Sequence, residues 1–323
     1  MSDPLRIAFL GCGFLTGVHS RNLRRLRGEV VTAYASRSAA RAAEYCRRYG
    51  GVASYDGYDA ALSDPNIEAV IVAVPPKFHL DITLRALDAG KHVLVEKPAF
   101  LTMADYLTAK AARDRAGRVV IVGENDHYKP LATCLRALLA EGVIGEMVLA
   151  HVLTVANRPK RANDWRNDET MAGGDAFFEE GIHWLHFINN LGPKITHIQG
   201  FKPTLPRVSP DVRVKSLLTS FHYDNGAVGS LYYSREIPSL LQGLRTSKLM
   251  GREGIITFES AGGFVFVRGR GRPRLMFPGW GRDVRGYQAM YRDFARAIRT
   301  GSQPEMSIER AIEDQRLMEI INA

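Results

Sequence analysis

Two separate stretches of the sequence hold side chains that can bind or exchange a proton. Lys97 stands between a glutamate and a proline, directly after a run of apolar residues. Glu179 and His183 stand four residues apart, a spacing that places them on one face of a helix. A histidine can exchange a proton near neutral pH, and Gly181 between the two lets a ligand approach the backbone closely. We therefore expect acid–base chemistry at a site to which both stretches contribute.

The start of the chain predicts a strand, a tight turn and a helix. Alternating apolar residues lead through Gly11 and Gly13 into a helical pattern, in the stretch LRIAFLGCGFLTGVHSRNLRRL. In such a unit the first glycine permits the turn, the second lets backbone approach a pyrophosphate, and the helix N-terminus directs N–H groups at the anion. Thr16 stands where a third glycine or alanine is usual. A plain strand–helix turn is the alternative at this point.

Further strand and helix patterns follow in alternation and predict a parallel sheet. The strands are VVTAYASR and EAVIVAVPP, and the first of them is followed by the helical segment SAARAAEYCRRYG. Ligands of open α/β sheets bind beyond the carboxyl ends of the strands, which is where Lys97 falls. Ser36 and Arg37 stand where an enzyme that prefers NAD offers an acidic residue, so they favour the 2′-phosphate of NADP. A solvated arginine is the alternative reading of Arg37.

The second half of the chain changes to long alternating runs typical of antiparallel strands. Examples are MVLAHVLTVAN and VKSLLTSFHYDNGAVGSLYYS, and Asp224-Asn225-Gly226 in the second of these predicts a hairpin turn. Helices must cover one face of such a sheet, and water or a partner the other. We predict two domains, at residues 1–124 and 125–323.

Composition restricts the class of protein. The 323 residues are 46% hydrophobic and 24% charged, an ordinary globular balance without the pattern of a signal peptide or a membrane helix. Three widely spaced cysteines suggest neither disulfides nor zinc, so we expect a cytoplasmic chain without a metal site. The net charge of +9 favours an anionic partner. Arg270-Gly271-Arg272-Pro273 resembles a DNA-binding hook, but its place between two strand patterns favours a hairpin loop and no nucleic acid.

Taken together, these motifs resemble the glucose–fructose oxidoreductase, inositol dehydrogenase and MocA family. The resemblance covers nearly the whole length and rests on pieces such as GCGFLTGVH, DAGKHVLVEKP and GGDAFFEEGIHWLHFINNLG. It implies an α/β fold, with an N-terminal Rossmann parallel sheet and a C-terminal α+β domain that holds a large, mostly antiparallel open sheet. It also implies a homodimer or homotetramer formed through that sheet.

The resemblance assigns roles to the residues in these motifs. The catalytic set is Lys97, which holds the reacting hydroxyl, His183, which exchanges its proton, and Glu179, which orients the imidazole or a neighbouring hydroxyl. An alternative has Lys97 exchange the proton and His183 position the substrate. The expected cofactor-binding residues are Gly11, Gly13, Phe14, Leu15, Ser36, Arg37, Pro75, His79, Glu96 and Lys97. The expected substrate-binding residues are Lys97, Asn125, His127, Trp165, Arg166, Glu180, His183 and His186.

Three positions depart from the family pattern and put its usual substrates in doubt. Glu179 replaces an aspartate, Asp175 replaces a glycine, and His186 replaces an aspartate that often binds substrate. As a lone histidine, His79 would more often be a structural residue. We also expect the Lys97–Pro98 peptide bond to be cis, against a base rate of about 5% for such bonds.

The function expected on this basis is an NADP(H)-dependent oxidoreductase, with NAD as the other possible cofactor. It interconverts a secondary alcohol and a ketone on a sugar, a sugar derivative or a cyclic polyol, and the small-molecule substrate can be anionic. Two alternatives remain open: a glycosidase of the same family that oxidises its substrate transiently, and a non-catalytic regulator that senses the cofactor. The presence of both Lys97 and His183 argues against the regulator.

Overall fold

The structure, a computed structural model, describes residues 3–26, 28–157, 168–204, 215–237, 245–281 and 283–322. The chain divides into two compact units. The first consists of Met1–Asn125 together with Tyr287–Ile312, and the second of Asp126–Gly286 with Glu313–Ala323.

The strands of the described chain form two sheets. They are β1 (Leu5–Leu10), β2 (Val30–Ser36), β3 (Ala53–Asp56), β4 (Ala69–Val72), β5 (His92–Glu96), β6 (Val120–Gly123), β7 (Met147–Val155), β8 (Ile195–Phe201), β9 (Ser216–Tyr223), β10 (Val228–Ser234), β11 (Thr246–Gly251), β12 (Gly254–Glu259), β13 (Val265–Arg268) and β14 (Arg274–Met276).

The helices alternate with the strands of the first unit and are fewer in the second. They are α1 (Phe14–Leu23), α2 (Ala39–Tyr49), α3 (Tyr58–Ser63), α4 (His79–Asp88), α5 (Met103–Ala116), α6 (Pro130–Ala140), α7 (Glu169–Ala172), α8 (Ile182–Asn189), α9 (Tyr287–Thr300) and α10 (Ile308–Asn322).

The first unit holds a six-stranded sheet in the order β3-β2-β1-β4-β5-β6. All neighbouring strands in it are parallel, and β1, β4 and β6 are buried over nearly their whole length. Helix α5 of this unit begins and ends at caps that the sequence supplies. The Thr102 side chain accepts a hydrogen bond from Asp105 N at the start of α5, and Gly117 ends that helix in the left-handed conformation. This strand order is that of a doubly wound nucleotide-binding sheet.

The second unit holds an eight-stranded sheet in the order β14-β13-β12-β11-β7-β10-β9-β8. Its neighbours are antiparallel except for β7 and β10, which run parallel. Helix α8 packs on the buried face, where the Phe187 ring lies 6.0 Å from that of Phe258 and Tyr223 Oη donates to Ile188 O. The alternation of buried and exposed residues along β9 and β13 leaves the opposite face open.

The predicted fold class is confirmed by these two sheets. The hairpin predicted at Asp224-Asn225-Gly226 joins β9 to β10, with Gly226 at a φ of 84°. The basic stretch at 270–273 is also a hairpin loop, between β13 and β14, and Arg270 there forms an ion pair with Glu253. The structure differs from the predicted division at 124 in one respect, because Tyr287–Ile312 belongs to the first unit.

Candidate active site

The turn after β1 is built for a close approach of backbone to a ligand. Gly11 has a φ of 112°, and a Cβ there would lie 2.6 Å from Ala73 O, so only glycine fits. A Cβ at Gly13 would meet nothing within 4 Å, so this side of the turn opens to space. Gly13 is also the N-cap of α1 without a side-chain cap. The first turn of the helix therefore offers its backbone N–H groups to an anion.

Thr16, at the position expected for a third glycine, forms a hydrogen bond within the turn. Its hydroxyl donates to Gly11 O at 2.7 Å, and the side chain is fully buried. The close packing that the third glycine usually allows occurs one residue later, because a Cβ on Gly17 would lie 2.8 Å from Tyr49 Oη. The departure at Thr16 thus preserves the turn.

The carboxyl end of β2 carries hydroxyl and guanidinium groups. Ser36 is buried, whereas Arg37 is exposed directly after the strand. Helix α2 starts at Ser38 as N-cap, and Arg41 in its first turn donates from Nε to Cys12 O at 2.7 Å. The first turn of α2 holds no acidic residue. These groups present positive charge where the ribose of a dinucleotide lies in such sheets.

The carboxyl end of β5 carries Lys97, which is half-buried. The prediction of a cis peptide bond between Lys97 and Pro98 is confirmed. His79 fixes the segment that follows: its Nδ1 lies 3.0 Å from Pro98 O and from Ala99 O, and its Nε2 lies 2.8 Å from Val74 O. Burial lowers the pKa of His79, while the three carbonyl oxygens and Glu96 oppose this shift. The ring thus bridges the loops after β4 and β5.

Glu96 is held inside the first unit by residues from two helices. Its Oε1 lies 2.8 Å from Nε2 of His19, so the carboxylate and the imidazole are in direct contact. Nδ1 of His19 lies 2.5 Å from Tyr291 Oη. A Cβ on Gly123 would lie only 2.7 Å from Glu96 Oε1, which explains a glycine at the end of β6.

In the second unit the predicted helix begins with a π-helical turn, Phe177–Gly181, before α8. Glu179 and Glu180 lie in this turn and are buried. Their Oε2 atoms lie 3.8 and 4.0 Å from Nη1 of Arg235, which is also buried. The two carboxylates therefore share one guanidinium. The ring of Phe177 accounts for Gly181, because a Cβ there would lie 2.1 Å from Cδ2 of that ring.

Two histidines of α8 face the turn of residues 125–128. A ring nitrogen of His183 and a carboxylate oxygen of Asp126 lie within 4.8 Å of one another. Nε2 of His186 lies 2.9 Å from Nδ1 of His127, and Nδ1 of His186 lies 2.6 Å from Oδ2 of Asp314. His183 is half-buried, whereas His186 is only 1% exposed. The structure thus joins two predicted substrate residues, His127 and His186.

The remaining predicted residues have simple placements. Phe14 is 74% exposed and Leu15 is half-buried in the first turn of α1. Pro75 and Asn125 are half-buried in the loops after β4 and β6. Trp165 and Arg166, predicted to bind substrate, lie outside the described residues. Lys97 belongs to the first unit and His183 to the second, so their convergence on one oxygen stays a prediction.

Four residues that contact this set were missed by the sequence reasoning. They are His19, Arg235, Tyr291 and Asp314. His19 lies within the quoted glycine-turn motif, and its position on the buried side of α1 is a signal that was available. The other three contact residues far away along the chain, so no local spacing points to them.

The doubly wound order of the first sheet and the glycine turn at its first crossover define a Rossmann nucleotide-binding protein with a second, mostly antiparallel domain. Residues 5–124 match the family model described as the oxidoreductase family, NAD-binding Rossmann fold. Residues 133–257 match the GFO/IDH/MocA C-terminal domain. The chain therefore belongs to the Gfo/Idh/MocA family.

Relatives of known name are oxidoreductases. The chain is 34% identical over 176 residues to 1,5-anhydro-D-fructose reductase of Ensifer adhaerens. These residues make up 53% of this chain and 52% of the reductase. It is 28% identical to scyllo-inositol 2-dehydrogenase (NAD(+)) of Bacillus subtilis, over 74% of this chain and 69% of the dehydrogenase. The chain thus spans about half the length of the first of these curated relatives.

Among solved structures, levoglucosan dehydrogenase in complex with NADH superposes with a TM-score of 0.88 and 22% identity. The match covers 99% of this chain and 96% of that chain. At this level of identity the likeness shows a common fold. Within the described residues, none of the helices is long and apolar enough to cross a membrane.

Proposed function

We propose that the protein is an NADP(H)-dependent oxidoreductase that interconverts a secondary alcohol and a ketone on a sugar, a sugar derivative or a cyclic polyol. The observation that carries the proposal is Lys97 at the carboxyl end of β5, in a parallel sheet whose first turn opens at Gly13. Ligands of such sheets bind at this edge. The family membership and the names of the relatives support the same reaction class.

The residues present fit a nicotinamide dinucleotide. The open side of Gly13 and the uncapped first turn of α1 suit its pyrophosphate, and Phe14, 74% exposed in that turn, offers an apolar surface beside it. When bound, the cofactor supplies a hydride acceptor or donor at its nicotinamide ring. Ser36, Arg37 and the neighbouring Arg41 suit a 2′-phosphate, which favours NADP over NAD.

The chain's own residues handle the proton of the substrate hydroxyl. The Lys97 ammonium holds the oxygen and stabilises negative charge as it develops there. His183 takes the proton during oxidation and returns it during reduction. Glu179 shares Arg235 with Glu180, an arrangement that fixes its carboxylate for orienting the imidazole or a substrate hydroxyl. Convergence of Lys97 and His183 is part of the proposal.

The proposed substrate class follows from the relatives' names, which refer to an anhydro sugar and an inositol. The net charge of +9 suits an anionic derivative of such a compound. The proposed assembly is a homodimer or homotetramer through the open face of the second sheet. Exposed apolar side chains on that sheet, including Leu149, Tyr232 and Phe266, support it. A cytoplasmic location stays a prediction.

Turnover tests the proposed reaction. The purified protein is incubated with sugars, polyols and nucleotide sugars in the presence of NADP⁺ or NADPH, and the nicotinamide absorbance is followed. We expect a net change in cofactor with at least one class of substrate. Glycoside cleavage without net change would instead support the glycosidase, and nucleotide binding without any turnover would support the regulator.

Substitutions test the assigned residues in the same assay. Lys97→Met and His183→Ala should each lower turnover by roughly 10²-fold or more. Binding of NADP, measured by calorimetry, should stay nearly unchanged. Lys110→Met, a lysine change on the outer face of α5 where Lys110 pairs with Asp114, is the matched control and should retain full turnover. Near-normal turnover in both site variants would contradict the assignment.

A further inference from the structure

Three titratable side chains of the second unit form an unbroken buried chain. Asp314 Oδ2 lies 2.6 Å from Nδ1 of His186, and Nε2 of His186 lies 2.9 Å from Nδ1 of His127. Asp314, His186 and His127 are 2%, 1% and 3% exposed. Ionisable groups are rarely buried at this level unless they are paired, so the arrangement requires a specific distribution of protons.

The hydrogen-bond partners of Asp314 identify it as the charged end of the chain. Its Oδ1 accepts from Asn189 Nδ2 at 3.1 Å and from Asn190 Nδ2 at 3.3 Å. Asn190 Nδ2 also donates to His186 O, so both of its hydrogens already have oxygen acceptors. The 3.1 Å distance between Asn190 Nδ2 and His186 Nδ1 therefore does not require a hydrogen bond between these two atoms. Behind it, Lys194 Nζ donates to Asn190 Oδ1 at 3.2 Å. These groups favour an ionised carboxylate.

A carboxylate can only accept, so Nδ1 of His186 carries a proton that it donates to Asp314. Two proton distributions remain. With His186 neutral, its Nε2 accepts from Nδ1–H of His127, and Nε2 of His127 is an acceptor. With His186 protonated, its Nε2 donates to Nδ1 of His127, and Nε2 of His127 carries a hydrogen. The two states differ by one proton that enters at His127 and is held at His186.

We propose that Asp314, His186 and His127 form a relay that stores the proton released when the substrate hydroxyl is oxidised. This inference rests on the proposed function. Oxidation of the alcohol breaks its C–H and O–H bonds; the hydride leaves with two electrons for the nicotinamide cofactor, and one proton remains. His183 first takes up that proton and then passes it on to Nε2 of His127, and the Nδ1 proton of His127 passes to Nε2 of His186. The product is a ketone, with an imidazolium at His186 beside the Asp314 carboxylate.

The position of His127 suits the entrance of this relay. It lies four residues after the end of β6, in the same short turn as Asp126, whose carboxylate lies within 4.8 Å of the His183 ring. His183, the proposed proton acceptor, therefore lies beside Asp126, the residue directly before His127 in this turn. Arg136, whose Nη2 donates to His127 O, fixes the backbone at the entrance. In the direction of ketone reduction the stored proton returns along the same path.

Nuclear magnetic resonance of the protein without substrate tests the relay independently of turnover. Histidine labelled with ¹⁵N reveals the tautomer of each ring, and the chain has nine histidines to assign. At neutral pH we expect His186 and His127 each to be neutral with hydrogen on Nδ1. On acidification His186 should become doubly protonated while the hydrogen of His127 moves to Nε2. A resting His186 that is already doubly protonated, or a resting His127 with its hydrogen on Nε2, would overturn the proposal.

Asp314→Asn tests the role of the carboxylate. The variant keeps the shape of the side chain but cannot stabilise a protonated His186, so the coupled change of the two rings on acidification should disappear. With an active substrate, alcohol oxidation at neutral pH should fall by roughly 10²-fold, and the loss should shrink at higher pH because solvent base takes the proton. A loss of equal size at every pH would indicate a structural role and refute the relay.

Asp293→Asn is the matched control, because Asp293 is a buried aspartate of the first unit that accepts from Arg296 and from Glu305 N. It should lower stability without altering either ring or the pH dependence. The ¹⁵N spectrum of the wild-type protein alone reports the ring tautomers. The relay can therefore be tested even if a variant fails to fold. Failure to turn over any alcohol would contradict the proposed function, whereas the ring tautomers decide the relay.

Discussion

The carboxylate next to Lys97 is charged although it is buried. Burial alone would raise the pKa of Glu96, but His19, Lys97 and His79 outweigh it and hold the pKa below its ordinary value. Since a carboxylate only accepts, the His19 nitrogen beside it carries a proton, and the other His19 nitrogen accepts from Tyr291 Oη. Burial also raises the pKa of Tyr291 well above its ordinary value, which keeps that hydroxyl a donor.

Replacement of Glu96 by glutamine should therefore lower stability in a manner that depends on pH. A depressed carboxyl pKa stabilises the fold above the unfolded value of about 4.3, and this contribution is lost as the pH falls through the lower folded pKa. At neutral pH the loss in Glu96→Gln should be about 1–3 kcal/mol. Denaturant unfolding of both proteins from neutral to acidic pH measures it, and the difference should shrink below about pH 4.3.

Glu44→Gln is the control for this measurement, since Glu44 is an exposed glutamate of α2. Its unfolding should follow the wild type at every pH. A constant difference between wild type and Glu96→Gln down to the lowest pH would show that the Glu96 carboxylate is not the titrating group.

Cofactor choice is a second test at the scale of single residues. NADP(H) should bind more tightly than NAD(H), and Arg37→Ala should narrow this difference in affinity by roughly 10- to 100-fold, because one charge-assisted contact of about 1.5–3 kcal/mol is lost. Calorimetric titration with both nucleotides measures this. Arg47→Ala, in the last turn of α2, is the control and should leave the difference unchanged. Equal affinities in the unaltered protein, or a preference for NAD(H), would refute the predicted preference for NADP(H).

Local sequence predicts some of these residues better than others. Lys97–Pro98 and Ser36-Arg37 follow strands that the apolar pattern locates, so their places at the sheet edge could be inferred in advance. Asp314 contacts His186, from which it is separated by 128 positions in the sequence. Tyr291 contacts His19, from which it is separated by 272 positions. Contacts at such separations depend on the packing of whole helices, which no spacing rule encodes.

Among the elements, the turn before α8 shows how packing alters a predicted helix. The pattern of residues 177–189 predicts a regular helix, but Phe177–Gly181 is π-helical. The Phe177 ring lies 5.1 Å from that of Tyr233 on β10, and Tyr233 Oη donates to Ala176 O. These contacts hold the ring against Gly181. π-helical turns of this kind are frequent at functional sites, and here the turn carries Glu179 and Glu180.

Gly181→Ala should disrupt this turn. The added methyl would lie 2.1 Å from a carbon of the buried Phe177 ring, so the ring or the backbone must move, at a cost of about 1–3 kcal/mol. Thermal or denaturant unfolding measures the loss. Gly192→Ala is the matched control, because a Cβ there meets nothing within 4 Å, and it should be nearly neutral. Equal stability of the two variants would contradict the packing argument. Phe177→Leu removes the ring that the methyl group meets, so it should restore part of the stability lost in Gly181→Ala.

At the scale of the whole molecule, the first unit is built from two distant parts of the chain. Residues 287–312 return to it through α9 and the start of α10. Arg113 forms a bidentate ion pair with Glu309, and Val122 N donates to Met306 O beside β6. The strand and helix patterns predicted both sheets, but a division read along the sequence cannot show that a later segment completes an earlier domain.

The first unit should therefore need its returning segment to fold. Residues 1–125 alone would leave exposed the surfaces that Met290, Tyr291 and Phe294 bury, at about 1.5–3 kcal/mol each. Their sum approaches the whole stability of an ordinary domain, about 5–15 kcal/mol. A fragment of residues 1–125 joined to 287–312 by a flexible linker of roughly 20 residues should unfold cooperatively and bind NADP(H), as followed by circular dichroism and calorimetry. Residues 1–125 followed by the same linker and a scrambled copy of 287–312 are the control, and should do neither. Cooperative unfolding and equal NADP(H) affinity in that control would show that the Rossmann sheet is complete without α9.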